Sequence, residues 1–193
     1  MPERSTSDPR AAHRRLAEFR RAVRAGTTAE RLFVEPTVHP AEPTGFCWCD
    51  GSVFHALRFW LKAVLLGLPF LFPWNPLKLW ALRRAGARVG RRVYFSHGAW
   101  VDPVFPDLIA IEDRVFFGTG ARIYTHEFRV DSFRAGRVTV RAGAFIGAHA
   151  VLAPGVEIGP GAVVAAFTVA DRDVPAGATL IAAPSRIVKR GEP

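Results

Sequence analysis

The chain has 193 residues, 49% of them hydrophobic and 22% charged, which suits one domain with an appendage and excludes a disordered polypeptide. Twenty-six Lys and Arg against 17 Asp and Glu leave a formal charge of +9, favouring anionic partners such as nucleic acid, anionic lipid or phosphorylated ligands. No nucleic-acid-binding motif accompanies that charge, so nucleic acid is not expected among the partners. Cys47 and Cys49 are too close together to close a useful loop and too few for a zinc cage, so no metal is expected either.

In chain order, Arg14, Arg15, Arg20, Arg21 and Arg24 alternate with Leu16, Phe19 and Val23, a spacing that predicts a basic amphipathic helix. An Arg-rich start from Arg10 to Arg24 lacks the apolar core of a secretory signal, which points to a cytoplasmic protein. Pro36, Pro40, Pro43 and Gly45 then interrupt regular structure, so residues 1–52 read as a solvated helix or tail with a Pro-rich linker. Residues 53–87 form a hydrophobic segment with Phe54, Phe59, Trp60, Leu61, Leu65 and Leu66 close together. A membrane-spanning helix needs roughly 20 apolar residues, whereas Lys62, Pro69, Pro73 and Pro76 interrupt this run. The expectation is two short helices, about 53–68 and 76–85, that cap the next domain. Trp60, Trp74 and Trp80 beside Arg58, Lys62, Lys78, Arg83 and Arg84 have the makeup of an interfacial segment, so peripheral contact with the inner membrane surface is a second expectation. Neither segment is expected to take part in chemistry.

Residues 88–193 carry a repeat. An aliphatic or aromatic residue returns every six positions: Val89, Phe95, Val101; Ile111, Phe117, Ile123; Val140, Ile146, Leu152; Ile158, Val164, Ala170. Four positions after most of them stands a small or β-branched residue, among them Val93, Ala99, Val115, Ala121, Ala144 and Ala150. Six is neither a helical period nor a strand alternation. A short strand followed by a tight turn makes one flat side of a triangular coil, and three such sides close it, with like positions of successive coils stacked at roughly 4.8 Å. The fold class is therefore an all-β solenoid, a parallel β-helix of about four coils with N-terminal helices. The register breaks twice, between Val101 and Ile111 and between Ile123 and Val140, and insertions in a solenoid become surface loops that build binding sites.

The stretch from Ile146-Gly147-Ala148-His149-Ala150 through Pro154-Gly155-Val156-Glu157-Ile158-Gly159, with Asp173-Val174-Pro175-Ala176-Gly177, resembles the hexapeptide-repeat acyltransferases, in particular the galactoside and maltose O-acetyltransferases. The resemblance covers about residues 75–190. It implies a left-handed coil and a homotrimer, with an acyl acceptor and acetyl-CoA or another acyl-CoA meeting between two subunits. The segment Ile123-Tyr124-Thr125-His126-Glu127 matches the place where such enzymes carry a catalytic histidine, just before an excursion loop. Imidazole titrates near neutral pH and can take the proton of an attacking hydroxyl or amine. A carboxylate beside it would fix its tautomer, Glu127 being the first candidate and Asp102, one coil below, the second. His97 falls near the acceptor position of the galactoside enzymes, and with Asp102 and Phe105 it makes the expected acceptor-binding set for a small molecule. The donor's pantetheine arm is implied at the main chain of Ala148 and Ala166, and its phosphates at Arg186 and Lys189.

Two departures from the family pattern concern that donor side: Ala165-Ala166-Phe167-Thr168 stands where relatives commonly read Gly-Ala-Gly-Ser, and Asp171 replaces a common Thr. They motivate a competing reading, a β-helical scaffold or binding module that has lost donor binding. Metal-dependent hydration on the same fold would need three His around one interface, and no such spacing is found.

Overall fold

The computed structural model describes residues 9–36, 53–71, 74–129 and 132–182. The linker at 37–52 with Cys47 and Cys49, and the donor-side pair Arg186 and Lys189, lie outside the described residues. The chain opens with helix α1 (Pro9–Ala25), strand β1 (Leu32–Pro36) and helices α2 (Val53–Leu71) and α3 (Asn75–Ala85). A first coil follows, of β2 (Arg88–Val89), β3 (Tyr94–Phe95) and β4 (Trp100–Val101), and then a second, of β5 (Ile109–Ile111), β6 (Phe116–Phe117) and β7 (Arg122–Ile123). An excursion, β8 (His126–Phe128) and β9 (Ser132–Gly136), leaves the solenoid. The chain returns as β10 (Val138–Val140), β11 (Phe145–Ile146) and β12 (Val151–Leu152), and then β13 (Glu157–Ile158), β14 (Val163–Val164) and β15 (Val169–Ala170). A last strand, β16 (Thr179–Leu180), begins another coil.

Like sides pair in parallel, giving three sheets in the orders β13-β10-β5-β2, β16-β14-β11-β6-β3 and β15-β12-β7-β4. The six-residue repeat matches this register position by position. Phe95 pairs with Phe117, Phe117 with Ile146 and Ile146 with Val164, all buried. The Phe95 and Phe117 rings stack 4.4 Å apart and within 2° of parallel. The coils approach so closely at Gly147 that a Cβ there would stand 2.4 Å from the Ala166 nitrogen, which is why this position tolerates no side chain.

At the first-coil end, α3 replaces the missing next rung. The Asn75 amide donates to Val93 O at 2.8 Å and accepts from Phe95 N at 3.0 Å, and the buried Lys78 ammonium donates to Phe95 O at 2.8 Å. Burial pushes the Lys78 amine below the usual lysine range. Gly86 ends the helix in the left-handed region at φ 107°, returning hydrogen bonds to the last turn. α2 runs three residues beyond the expected 53–68, through Pro69, and lies on α3 and β4.

The N-terminal segment differs from the sequence expectation. α1 is not a solvated tail: Leu16, Phe19 and Val23 pack with Leu108, Phe133 and Ala135 in a second apolar cluster. Arg20 forks onto Asp107 at 2.6 and 3.0 Å, with its guanidinium 4.8 Å from the Phe105 ring centre. β1, which begins where the tail was expected to pass into a linker, pairs antiparallel with β9, making a sheet of order β1-β9-β8. The physical reason is that the excursion has its own apolar face, which the solenoid does not cover.

Candidate active site

The excursion leaves the solenoid at the corner after β7, and its first residue is His126. Directly below, at the same corner of the first coil, the chain turns at Asp102. Sequence distance is 24 residues, but spatially the two are one rung apart. Asp102 has no exposed surface, and both its oxygens are occupied. Oδ1 accepts from Val104 N at 2.9 Å. Oδ2 accepts from Thr125 N at 3.0 Å, from Thr125 Oγ1 at 2.7 Å and from His126 Nδ1 at 2.5 Å. Burial pushes the carboxyl up, but the hydrogen bond from His126, the charge of its ring and the bonds from Thr125 and Val104 outweigh it and hold Asp102 below the usual carboxylate range. A carboxylate that is ionised at neutral pH can only accept, so Nδ1 carries the proton and Nε2 is the basic nitrogen of the neutral ring.

Aromatic rings enclose the imidazole. Phe105 and Phe128 meet it edge-on at 5.8 and 6.1 Å, and Phe133 lies tilted at 6.2 Å. The His126 side chain keeps 15% of its surface exposed, so the ring is shielded yet reachable. A base in such a setting is fixed in tautomer and direction, and able to take a proton from a group placed at Nε2.

Glu127 is not the partner of that base. Neighbouring residues of a strand point to opposite faces, and Glu127 binds Arg129 at 2.8 Å and Arg134 at 3.1 Å on the far side of β8. Asp102, expected to touch the acceptor, is sealed beneath the histidine and has no surface to offer one. Phe105 stands beside His126. His97 does not: it is exposed at the corner between the second and third sides of the first coil. Ala148 and Ala166 lie at that same corner, two and three coils on, so the third sheet separates them from His126. There the left-handed positions of successive coils are Gly98, Gly120, His149 and Phe167, and the His149 and Phe167 rings stack at 5.0 Å. Among the described residues no group of three or more His, Cys, Asp or Glu is placed to hold a metal ion. Sequence reasoning missed Thr125 and Phe133. The first has an ordinary repeat neighbourhood, and the second lies in the excursion, where no period marks buried positions.

Residues 137–170 match the bacterial transferase hexapeptide family, which is described by six repeats. The Bacillus subtilis (strain 168) protein YvoF, an acetyltransferase by name, is 29% identical over 151 residues, covering 78% of this chain and 88% of its own length. Over these stretches the chain is similar to the hexapeptide-repeat acetyltransferases. Solved acetyltransferases share the architecture. A galactoside acetyltransferase in complex with coenzyme A superposes with a TM-score of 0.55 at 16% identity, over 72% of this chain and 84% of the other. The acetyltransferase VCA0836 of Vibrio cholerae O1 biovar eltor, in complex with acetyl coenzyme A, gives 0.53 at 20% identity, over 72% and 91%. These likenesses establish the left-handed parallel β-helix with N-terminal helices.

Proposed function

We propose that the protein moves an acetyl or longer acyl group from a coenzyme A thioester to a hydroxyl or amine of a small-molecule acceptor, with His126 as general base. The observation that carries this reading is the His126–Asp102 pair, with its proton fixed on Nδ1 by a buried carboxylate. Similarity to the hexapeptide-repeat acetyltransferases supports the donor, since structural neighbours have been solved with acetyl-CoA or coenzyme A bound.

The acceptor's O–H or N–H bond breaks toward Nε2 as its oxygen or nitrogen attacks the thioester carbonyl carbon. The imidazolium so formed faces the Asp102 charge at Nδ1, which lowers the energy of the ion pair in a site with little water. Collapse of the tetrahedral intermediate breaks the C–S bond, and the departing sulfur recovers the proton from Nε2. No protein nucleophile is needed, and Phe105 and Phe128 would exclude water that could hydrolyse the thioester.

A second copy of the chain supports the same chemistry. His126 and the positions of Ala148 and Ala166 lie at opposite ends of one sheet, so acceptor and donor meet only if a neighbouring subunit brings its donor corner to this base. A closed ring of three satisfies that requirement with one repeated interface. Tyr94, Phe116 and Phe145, stacked at 5.3 and 5.0 Å on the outside of the second sheet, offer apolar area for such contacts.

The test is thiol release from acetyl-CoA in the presence of sugar, amine and lipid-linked acceptors, with sedimentation measured on the same sample. Acceptor-dependent release by a trimer is expected. Acetyl-CoA that fails to bind at millimolar concentration would leave the scaffold reading standing instead.

A further inference from the structure

Along α2, Leu57, Trp60, Leu61 and Val64 follow the i, i+3, i+4, i+7 spacing of a helix's buried face. Here that face is outside: the four side chains are 54, 65, 61 and 51% exposed. The other side of α2 is also apolar and places Leu66 in the solenoid core with Leu65 against it. The cap therefore accounts for one face only, and the second has no use in the solenoid. Trp74, just before α3, and Trp80, within it, add two more exposed indoles at the same end of the molecule.

Cations gather there too. Arg83 and Arg84 close α3, and Arg88, Arg91, Arg92 and Arg114 line a cleft of about 850 Å³ over the first two coils, with Glu112 and Asp113 as its acids. An exposed apolar stripe on α2, beside an α3 that carries Trp80, Arg83 and Arg84, is matched by one kind of surface, a bilayer with acyl chains beneath phosphate groups. Two copies meeting through this end would bring their arginines together, and a polyphosphate groove would leave the leucines unserved. No helix among the described residues is long and apolar enough to cross a membrane, so the contact is peripheral.

We propose that the first-coil end is a docking face for an anionic lipid bilayer, with the α2 stripe entering the acyl boundary, Trp74 and Trp80 at headgroup depth, and the arginines on lipid phosphates. This is independent of the transfer reaction, because neither His126 nor Asp102 is part of the face.

The experiment is sedimentation of the full chain with vesicles of phosphatidylcholine, pure or with about a third phosphatidylglycerol, for the wild type, the double variant Trp60→Ser, Leu61→Ser, and the double variant Arg84→Gln, Arg91→Gln. All altered side chains are exposed, and circular dichroism checks the fold. The wild type is expected to bind the anionic vesicles and not the neutral ones. The apolar variant should weaken binding by about tenfold or more, and the arginine variant or 0.5 M salt by roughly tenfold. Absence of binding to anionic vesicles, or equal binding by wild type and apolar variant, overturns the proposal. A smaller assembly for the apolar variant without lipid would overturn it as well, since the face would then belong to a second copy.

Discussion

Asp102→Asn is the sharpest probe of the active site, because it keeps the volume and removes only the charge and one acceptor. The wild-type carboxylate accepts four hydrogen bonds, three at Oδ2 and one at Oδ1. An amide has two hydrogens to place. If its NH₂ faces Val104, two N–H groups confront each other in a fully buried site, at a cost of about 1–3 kcal/mol. If it faces Thr125 and His126, it also opposes Thr125 N–H, and His126 must accept at Nδ1 and carry its proton on Nε2. The second arrangement disables the base. Either way the imidazolium loses its counter-charge, and turnover with saturating acetyl-CoA should fall by about two to four orders of magnitude. The acceptor Michaelis constant should change little, since Asp102 touches no solvent. Thermal unfolding should fall by roughly 2–10 °C. Because Asp102 is held below its ordinary range, its contribution to stability is present above about pH 4 and lost as pH falls through the lower folded value. The asparagine variant should lack that acid-side loss. His126→Ala should be as slow as His126→Ala combined with Asp102→Asn, because the pair acts as one unit. Asp102→Asn turnover within about threefold of wild type would refute the role assigned to this pair.

Glu127→Gln should leave turnover within about threefold of wild type, since its partners are the exposed Arg129 and the half-buried Arg134, pairs worth about 1 kcal/mol; a loss equal to that of Asp102→Asn would restore it as the partner. Deleting residues 1–36 uncovers Leu108, Phe133 and Ala135 and removes the strand that pairs with β9, so kcat should fall by about tenfold or more with a lower unfolding temperature. Steady-state rates and a melting curve near wild type would show that the second cluster does not hold His126. Phe167→Gly relieves a side chain at φ 58° that costs on the order of 1 kcal/mol and opens the corner beside Ala166. The donor Michaelis constant should drop several-fold at constant kcat, and an unchanged value in donor titrations would move the pantetheine path elsewhere. Replacing Arg186 and Lys189 with Ala should raise the donor Michaelis constant and spare kcat, because contacts far from the reacting carbon bind ground and transition states alike; reduced acceptor affinity instead would displace the nucleotide end.

The solenoid was legible because one inward position recurs on every side of every coil, so Val89, Phe95 and Val101 announce what Ile158, Val164 and Ala170 confirm. His126 could be found by resemblance and by the broken register beside it. Its partner was harder. Neighbourhood in sequence favoured Glu127, but strand alternation turns that side chain away, while stacking of coils brings Asp102 underneath from 24 residues earlier. Such a contact obeys the rise between coils, which is what made Asp102, at the corner one coil below, the second candidate. α1 was misjudged for a related reason: its apolar spacing was visible, but the surface it covers is made by Leu108, Phe133 and Ala135, scattered through irregular insertions.

The polar contacts of Asn75 and Lys78 with the first coil bear on what the molecule does not become. A stack of parallel coils is a short length of cross-β structure, and a bare terminal rung would template the next chain end to end. By answering Val93 and Phe95 with side-chain groups and covering them with an α-helix, the protein stops growth along the stack in that direction. Contacts made through the flanks, unlike stacking through that end, can close into a finite ring and need not extend into a filament.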